Sequence, residues 1–279
     1  MSFKEIDQKT LKGLHNVELE ILKEFNRICD KHNLNYFAVG GTLIGTIKYQ
    51  SFIPWDDDVD LGMPRKDYDK FLEIVKDELD EKYFIQSGYD YKNNWVPFTK
   101  IRKKNTLANE ESISHIDYPK GIFIDIFPYD NTSSNSGFIF KLKGNIIRIT
   151  MDTISYKWKT KKLSQLRRKN ICRLFSVLPI KILSKIQLHL MTSENNKECK
   201  YMTSYSGAYT LFKETHLKET LIPQKKKTFE DMQINVPNDY DRFLTQIYGD
   251  YRKDPPKEKR VNHSMLEISF DLEKDRKKK

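Results

Sequence analysis

The sequence predicts an α+β fold, with a mixed sheet flanked by helices, a basic helical insertion and a C-terminal segment that packs back. Amphipathic helical patterns alternate with short apolar runs of strand length through the N-terminal half. A basic stretch of helical composition follows, and strand and helix patterns return after it. We therefore expect a core domain over residues 1–135, a basic helical insertion over 136–200, and a segment over 201–279 that completes the site.

The first elements alternate between helix and strand. Apolar residues recur at three- and four-residue steps over 7–31, which predicts an amphipathic helix. The segment YFAVGG (36–41) predicts a short buried strand that ends on two glycines, and TLIGTIKY (42–49) predicts a helix directly after it. A second strand is predicted at DVDLGM (58–63), and the apolar stripe over 64–82 predicts the next helix.

The rest of the chain is predicted from strand runs, one linker and helix caps. We expect strands over 83–87, 96–102 and 121–129, a linker at NTSSNSG (131–137), helices over 138–200, a strand or turn over 228–237, and a helix over 238–250. Asn238 is the expected N-cap of that last helix, and Gly249 its expected end.

The composition favours a protein that has neither a membrane span nor a disulfide framework. The 279 residues are 38% hydrophobic, enough for a core, and the mean hydropathy is −0.68. No apolar run approaches the roughly 18 residues of a transmembrane helix, and the N-terminal MSFKEIDQKT lacks the apolar stretch of a secretory signal. The three cysteines are too widely separated to indicate a zinc site. A cytoplasmic location is therefore expected.

The excess of positive charge lies in one segment. Between Lys141 and Lys185 the sequence has thirteen Lys and Arg residues and one acid, so this stretch carries +12 while the whole chain carries +10. Apolar residues recur among the charges over 141–190, a mixture typical of amphipathic helices that lie on an anionic lipid surface. A solvated basic hairpin packed on the domain, or a nucleic-acid-binding surface, would give the same pattern.

Four carboxylates crowd into the apolar stretch FIPWDDDVDLGM (52–63). Side chains alternate along a strand, so Asp58 and Asp60 should share one face, a geometry that suits Mg²⁺. Asp125 is the single charge in the apolar run GIFIDIFPY (121–129) and could complete a two-metal site. A solvated acidic turn or a surface calcium loop is the alternative interpretation. The sequence also leaves open whether Asp56 or Asp57 contacts a metal.

A glycine pair precedes the carboxylates in VGGTLIGT (39–46). A strand, then Gly40 and Gly41, then the hydroxyl of Thr42 at a helix start would let backbone N–H groups approach a phosphate. The alternative is a tight turn in which glycine supplies only backbone freedom.

Four stretches together resemble the LicD family of the nucleotidyltransferase superfamily. They are GGTLIGTIKYQSFIPWDDDVDLGMPRKDYDKF (40–71), FTKIRKKNT (98–106), IFIDIFPYD (122–130) and YGDYRKDPPKEKRVNH (248–263). The longest is the most specific, and the motifs cover most of the chain outside the basic insertion. The resemblance implies a nucleotidyltransferase-like fold and transfer of an alcohol phosphate from a CDP-activated donor to a sugar hydroxyl, with release of CMP.

Position by position, the resemblance implies that Asp58 and Asp60 bind metal, that Asp125 is the third acidic residue of the site, and that Gly40 and Gly41 form the glycine turn. The implied cofactor is Mg²⁺, as one or two ions for which Mn²⁺ can substitute. The implied mechanism is in-line displacement at phosphorus, in which Asp125 orients or deprotonates the attacking hydroxyl.

The implied partners are a CDP-activated alcohol, with phosphocholine the expected group, and a glycan acceptor built on a lipid carrier, such as a precursor of teichoic acid, capsule or lipopolysaccharide. We expect the protein at the inner face of the cytoplasmic membrane, in peripheral contact through 141–190, and we expect no nucleic-acid partner.

Further residues are expected to bind the donor or acceptor. Lys100 and Arg102 alternate with Ile101 on one strand, so both could face the site as phosphate ligands, or could form an exposed strand face. The resemblance implies that Arg260 and His263, near the C-terminus, fold back to contact the acceptor or the diphosphate. A choline cation would favour an aromatic cage, for which the candidates are Trp55, Trp95 and Tyr129.

Two other functions fit part of the pattern. A nucleotidyltransferase that adds a nucleotide to nucleic acid or to a small molecule would share the glycines and the three acidic positions, and its basic segment would bind phosphate backbones. A degenerate, non-enzymatic scaffold is disfavoured because all three acidic positions are intact.

Overall fold

The computed structural model describes residues 6–90, 92, 95–260 and 262–277, and its architecture is the predicted α+β fold. The helices are α1 (Gln8–His32), α2 (Gly40–Tyr49), α3 (Arg65–Glu78), α4 (Phe138–Lys157), α5 (Lys169–Phe175), α6 (Ile180–Thr192), α7 (Lys218–Leu221), α8 (Tyr240–Tyr248) and α9 (Leu272–Arg276). The strands are β1 (Phe37–Ala38), β2 (Asp60–Pro64), β3 (Tyr83–Gln86), β4 (Thr99–Lys103), β5 (Leu107–Glu110), β6 (Phe123–Thr132), β7 (Tyr201–Thr203), β8 (Thr215–Leu217), β9 (Lys225–Phe229), β10 (Met232–Val236) and β11 (Met265–Ser269).

A mixed sheet forms the centre of the molecule, in the order β1-β2-β6-β4-β3. Strands β2 and β6 run parallel, and the other neighbours on this path are antiparallel. The far end of β6 pairs with β7, which pairs in turn with β8. Strand β6 therefore links the N-terminal core to the segment that follows the basic insertion.

Helix α1 lays a continuous apolar stripe against the sheet. Leu14, Ile21, Phe25 and Ile28 are each at most 1% exposed, and they share one core with strand residues such as Ile126. Burying side chains of this size contributes roughly 1.5–3 kcal/mol apiece relative to leaving them in water. The stripe holds α1 against the sheet, beneath the strands that carry the candidate site.

Several boundaries differ from the sequence prediction: α2 begins at Gly40 and not at residue 42, β4 begins at Thr99 and not at residue 96, and β6 extends to Thr132. Strand β2 begins at Asp60, so Asp58 lies in the loop before the strand and not within it. The N-cap of α8 is Asp239, whose side chain accepts from the Arg242 N–H (3.0 Å), whereas the side chain of Asn238 donates to the Glu219 carbonyl (2.9 Å). The predicted strand or turn at 228–237 falls in the hairpin of β9 and β10.

The basic segment is helical, and α4 packs against α6 across it. The C-terminal segment returns to the core because β11 pairs antiparallel with β5, and the Leu272 N–H donates to the Asn105 carbonyl (2.9 Å). Within the described ranges, no helix combines the length and the apolar character needed to cross a bilayer.

Candidate active site

The candidate site forms where the parallel strands β2 and β6 begin. Their register pairs the Cα atom of Asp60 with that of Asp125. Two backbone bonds fix this end: the Asp125 N–H donates to the Val59 carbonyl (2.8 Å), and the Val39 N–H donates to the Asp60 carbonyl (3.1 Å). Register partners present their side chains to the same face of a sheet, so both carboxylates lie on one side.

Gly40 and Gly41 allow two carboxylates to approach the backbone at the start of α2. Gly40 has a φ of +57°, and a Cβ atom built on it would lie 2.6 Å from Asp60 Oδ2. A Cβ atom on Gly41 would lie 1.8 Å from Asp56 Oδ2. The Thr42 hydroxyl accepts from the Asp60 N–H (2.8 Å). This turn positions carboxylates, and its role toward a donor phosphate stays a prediction.

Buried carboxylates accumulate in the loop before β2 and at the start of that strand. Burial, together with the neighbouring aspartates, raises the pKa of Asp56 and of Asp60 well above the ordinary value, and burial raises that of Asp58 to about 6. Among the described residues, no donor hydrogen-bonds to the Asp60 carboxylate. Glu18 of α1 is buried nearby, and burial and the Asp58 charge raise its pKa too. Such an excess of negative charge attracts a cation.

His263 comes to this loop from the far end of the chain. Its backbone N–H donates to Asp57 Oδ2 (2.9 Å), its ring Nδ1 lies 3.1 Å from Asp57 Oδ1, and the same ring nitrogen is 3.7 Å from Asp58 Oδ2. The hydrogen bond to Asp57 raises the pKa of His263 to about 10, so the imidazole is charged at neutral pH. Asp57 is therefore engaged with His263, a contact that the sequence did not reveal.

Lys100 is the partner of Asp125. The two are register partners on β4 and β6, and the Lys100 ammonium lies 2.7 Å and 2.9 Å from the two carboxylate oxygens. Both side chains are less than a tenth exposed, and the ammonium also lies 3.5 Å from the centre of the Phe123 ring. Asp125 was predicted as a third metal ligand, and Lys100 as a phosphate ligand. In the structure they neutralise each other.

Two predicted ligands lie apart from the cavity. The Arg102 guanidinium is fully buried and donates to Gln86 Oε1 and to the Gly121 carbonyl, both at 2.8 Å. Side chains alternate along β4, so Arg102 lies on the same face as Lys100, but the end of the strand that carries Arg102 is buried. Arg260 stacks on the Trp55 ring at 3.9 Å and donates to the Pro255 carbonyl (3.0 Å).

A cavity of about 530 Å³ opens above the carboxylates. Asp58, Asp60 and Asp125 line one part of it, together with Lys100 and His263. Of the other predicted residues, Gly40, Trp95 and Tyr129 also line it. These residues come from the glycine turn, the loop before β2, three strands, the loop before β4 and the C-terminal segment, so the fold assembles one site from motifs far apart in sequence.

Sequence reasoning missed several residues of the same cavity. Arg148 of α4, Glu214 before β8 and Tyr209 contribute to its wall, and so does Tyr248, which begins the motif over 248–263 but was not singled out there. Arg148 lies in the segment predicted to contact a membrane, and Tyr209 and Glu214 follow β7 in a region without a recognised motif. A lone acid or tyrosine in a polar loop carries no pattern that would mark it as part of a site.

The donor set fits a hard divalent cation in its chemistry. Asp58 and Asp60 offer oxygen ligands whose buried charge is only partly balanced, since His263 Nδ1 lies 3.7 Å from Asp58 Oδ2. Mg²⁺ is commonly held by one or two carboxylates together with substrate phosphates. Within the part of the chain that the structure describes, no three His, Cys, Asp or Glu side chains converge as a ready-made metal cage. Asp125 lines the same cavity but is paired with Lys100, and its role as a third metal ligand stays a prediction.

The part of the chain that carries most of the candidate site matches a known protein family. Residues 33–166 match the family model described as LicD/FKTN/FKRP, nucleotidyltransferase domain. That range includes the glycine turn, the aspartates before β2, and Asp125 on β6.

The chain is also similar to individual proteins. It is 30% identical over 268 residues to the lipopolysaccharide cholinephosphotransferase LicD of Haemophilus influenzae, covering 92% of this chain and 97% of that protein. Shorter matches are to uncharacterised proteins of Rickettsia typhi (33% over 77 residues, 28% of this chain and 23% of that protein) and Rickettsia prowazekii (29% over 110 residues, 38% and 41%).

Proposed function

This chain belongs to the LicD family, and from that membership we propose that it transfers phosphocholine from CDP-choline to a sugar hydroxyl of a cell-surface glycan precursor, with release of CMP. The supporting observation is the similarity to a lipopolysaccharide cholinephosphotransferase over 97% of that protein's length. The glycan could belong to lipopolysaccharide, teichoic acid or capsule. The geometry supports group transfer because the acidic positions of the motif meet in one cavity.

Asp58 and Asp60 are the residues that would hold Mg²⁺, for which Mn²⁺ could substitute. When bound, the ion neutralises the donor diphosphate and stabilises the leaving nucleotide. Both carboxylates line the cavity, and their raised pKa values support this role because a bound cation would relieve their repulsion.

The displacement is proposed to proceed in line at the phosphorus that carries choline. The acceptor oxygen forms a new O–P bond, and the bond from that phosphorus to the oxygen bridging to CMP breaks. Asp125, fixed by Lys100, orients the acceptor hydroxyl and takes its proton. The charged His263, held by Asp57, adds positive charge where the diphosphate would lie.

A direct assay tests the proposal. The purified protein is incubated with Mg²⁺, CDP-choline and a saccharide acceptor from a lipopolysaccharide or teichoic acid precursor, and CMP is measured. We expect CMP release that needs the acceptor and stops with a chelator. Absence of release from CDP-choline, CDP-ribitol and CDP-glycerol would exclude this class of donor.

We also propose that the basic segment places the enzyme on an anionic membrane, where a lipid-linked acceptor would lie. Phe138 and Ile139, at the start of α4, are 79% and 80% exposed, and Leu174 and Val177 are 68% and 78% exposed. These apolar side chains belong to or adjoin the 141–185 stretch, with its net charge of +12. Exposed apolar residues beside basic ones suit the interface of an anionic leaflet.

Vesicle binding tests this surface. The protein should sediment with vesicles that contain phosphatidylglycerol, less with phosphatidylcholine alone, and less in high salt. The double substitution Phe138→Ser with Ile139→Ser should reduce binding at unchanged thermal stability, because both side chains are largely exposed. Leu266→Ser, an exposed apolar residue on β11, is the matched control. Equal losses in the two variants would contradict the proposed surface.

A further inference from the structure

A buried carboxylate lies in a part of the cavity that the proposed chemistry does not use. Glu214 is 6% exposed and lines the same cavity as Asp60. Its Oε1 accepts from the Tyr209 N–H (3.0 Å), and among the described residues no donor contacts its second oxygen. Burial raises the pKa of Glu214, although the Tyr209 N–H and the charge of Arg148, which lines the same cavity, act against the shift. A carboxylate of this kind is complementary to a cationic ligand.

The backbone around Glu214 is shaped to fit it. A Cβ atom on Gly207 would lie 2.1–2.4 Å from the Glu214 carboxyl group, so only glycine allows the carboxylate to lie there. The Glu214 N–H donates to the Thr210 carbonyl (3.1 Å), and the Ser204 N–H donates to the Glu214 carbonyl (3.3 Å). The side chain is therefore held in one place by the loop between β7 and β8.

Aromatic rings share the wall of the cavity with this carboxylate. The rings of Tyr209 and Tyr248 meet edge to face with centroids 5.3 Å apart, and both residues line the cavity with Tyr129. The Lys213 ammonium lies 5.6 Å from the Tyr209 centroid, but Lys213 does not line the cavity and donates to the Ile247 carbonyl (2.5 Å). Its ammonium is thus engaged outside the cavity.

The aromatic part adjoins the part that carries the reaction. Tyr129 and Tyr248 line the same cavity as Asp60 and Glu214. A ligand that occupies the cavity between Asp60 and Glu214 would share it with these two rings. Phosphocholine carries its phosphate and its ammonium group at opposite ends, and Asp60 and Glu214 offer carboxylates at two different points of the one cavity.

We propose that Glu214, Tyr209 and Tyr248 form the subsite that binds the quaternary ammonium group of the transferred alcohol phosphate. A trimethylammonium group cannot donate a hydrogen bond, so it is recognised by charge and by aromatic faces. The proposal rests on the proposed function, because it assigns the headgroup end of that donor.

Binding measurements test the subsite without requiring turnover. Phosphocholine and glycerol 3-phosphate carry the same phosphate, but only phosphocholine has a cationic end, and each is titrated by calorimetry into the wild-type protein, Glu214→Gln and Glu110→Gln. Glutamine keeps an acceptor for the Tyr209 N–H. We expect Glu214→Gln to weaken phosphocholine binding at least about tenfold and to leave glycerol 3-phosphate nearly unchanged. Glu110→Gln removes another carboxylate of the same cavity and should affect both ligands alike.

The aromatic contribution has its own comparison. Tyr248→Phe keeps the ring and should keep phosphocholine binding, whereas Tyr248→Leu should weaken it selectively. The subsite is overturned if Glu214→Gln weakens both ligands equally, or neither. If phosphocholine binds in a Glu214-dependent way but CDP-choline releases no CMP, the subsite stands and the proposed reaction fails. If CDP-choline is turned over equally well by the wild-type protein and Glu214→Gln, the reaction stands and the subsite fails.

Discussion

Asp60 and Asp125 are register partners on two parallel strands, but in the described part of the chain only the Asp125 carboxylate has a cationic partner. On the other side of Asp125, its register partner on β4 is Lys100, whose ammonium binds both oxygens of the carboxylate. Asp60 has no donor on its carboxylate among the described residues. The row across the sheet therefore pairs the Asp125 carboxylate with a lysine and leaves the Asp60 carboxylate without a hydrogen-bond donor among the described residues.

Replacing Asp60 should separate activity from stability. Asp60→Asn is expected to lower CMP release by at least about 100-fold, because the proposed cation loses a ligand. The same change should leave the melting temperature equal or raise it in the absence of Mg²⁺, since it removes one of several repelling buried charges. Asp250→Asn, an exposed acid paired with Lys253, is the control and should change neither quantity. Retained activity in Asp60→Asn would contradict the assignment.

Lys100 should contribute far more to stability than a lysine three residues away on the same strand. Lys100→Met leaves Asp125 buried without its partner and is expected to cost roughly 3–5 kcal/mol in the free energy of unfolding. Lys103→Met breaks an ion pair with Glu20 whose side chains are 23% and 39% exposed, and should cost at most about 1 kcal/mol. Urea denaturation compares the two variants, and equal losses would show that the Lys100–Asp125 pair is not buried as described.

His216 should make the protein sensitive to acid. It is 1% exposed and stacks on Phe243, and burial lowers its pKa to about 3. In the unfolded chain His216 binds a proton near pH 6.5, whereas in the folded chain it stays neutral until about pH 3. The free energy of unfolding therefore falls as the pH drops from 6.5 toward 3. This loss is on the order of 5 kcal/mol. His216→Phe keeps an aromatic ring against Phe243 and should flatten the dependence of melting temperature on pH in that window. An unchanged slope would contradict a neutral, buried His216.

Gly40 should tolerate no side chain because of its backbone conformation and its contact with Asp60, and Gly137 separates these two causes. Both Gly40 (φ +57°) and Gly137 (φ +90°) have left-handed backbone, but only Gly40 has a neighbour, Asp60, in the path of a Cβ atom. Each alanine substitution should cost about 1–2 kcal/mol of backbone strain. We expect Gly40→Ala also to abolish activity by displacing the Asp60 carboxylate, and Gly137→Ala to remain active on a water-soluble acceptor. Full activity in Gly40→Ala would show that the close approach is unimportant.

The sequence predicted the parts of the site that depend on local pattern. Asp60 and Asp125 could be singled out because each is an acid in an apolar strand, and the strands themselves follow from periodicity. The bonds of Asp57 to His263 join residues 206 positions apart, and no local pattern encodes that contact.

Side-chain alternation predicted only part of the role of β4. It correctly placed Lys100 and Arg102 on one face, but a strand face does not reveal which of its positions open into a cavity. Arg102 is covered and bonded to Gln86, while Lys100 reaches the site. Glu214 was missed for a related reason, since its surroundings come from Gly207, Tyr209 and α8, which only the tertiary fold brings together.

The fate of the two halves of the donor tests the proposed reaction most directly. CDP-choline labelled separately in its choline methyl groups and in its cytidine is incubated with the protein, Mg²⁺ and the glycan acceptor, and the products are separated. We predict choline label on the glycan and cytidine label in free CMP, with both products lost in Asp60→Asn. Cytidine label on the glycan, with phosphocholine released, would show nucleotidyl transfer instead and would contradict the proposed function.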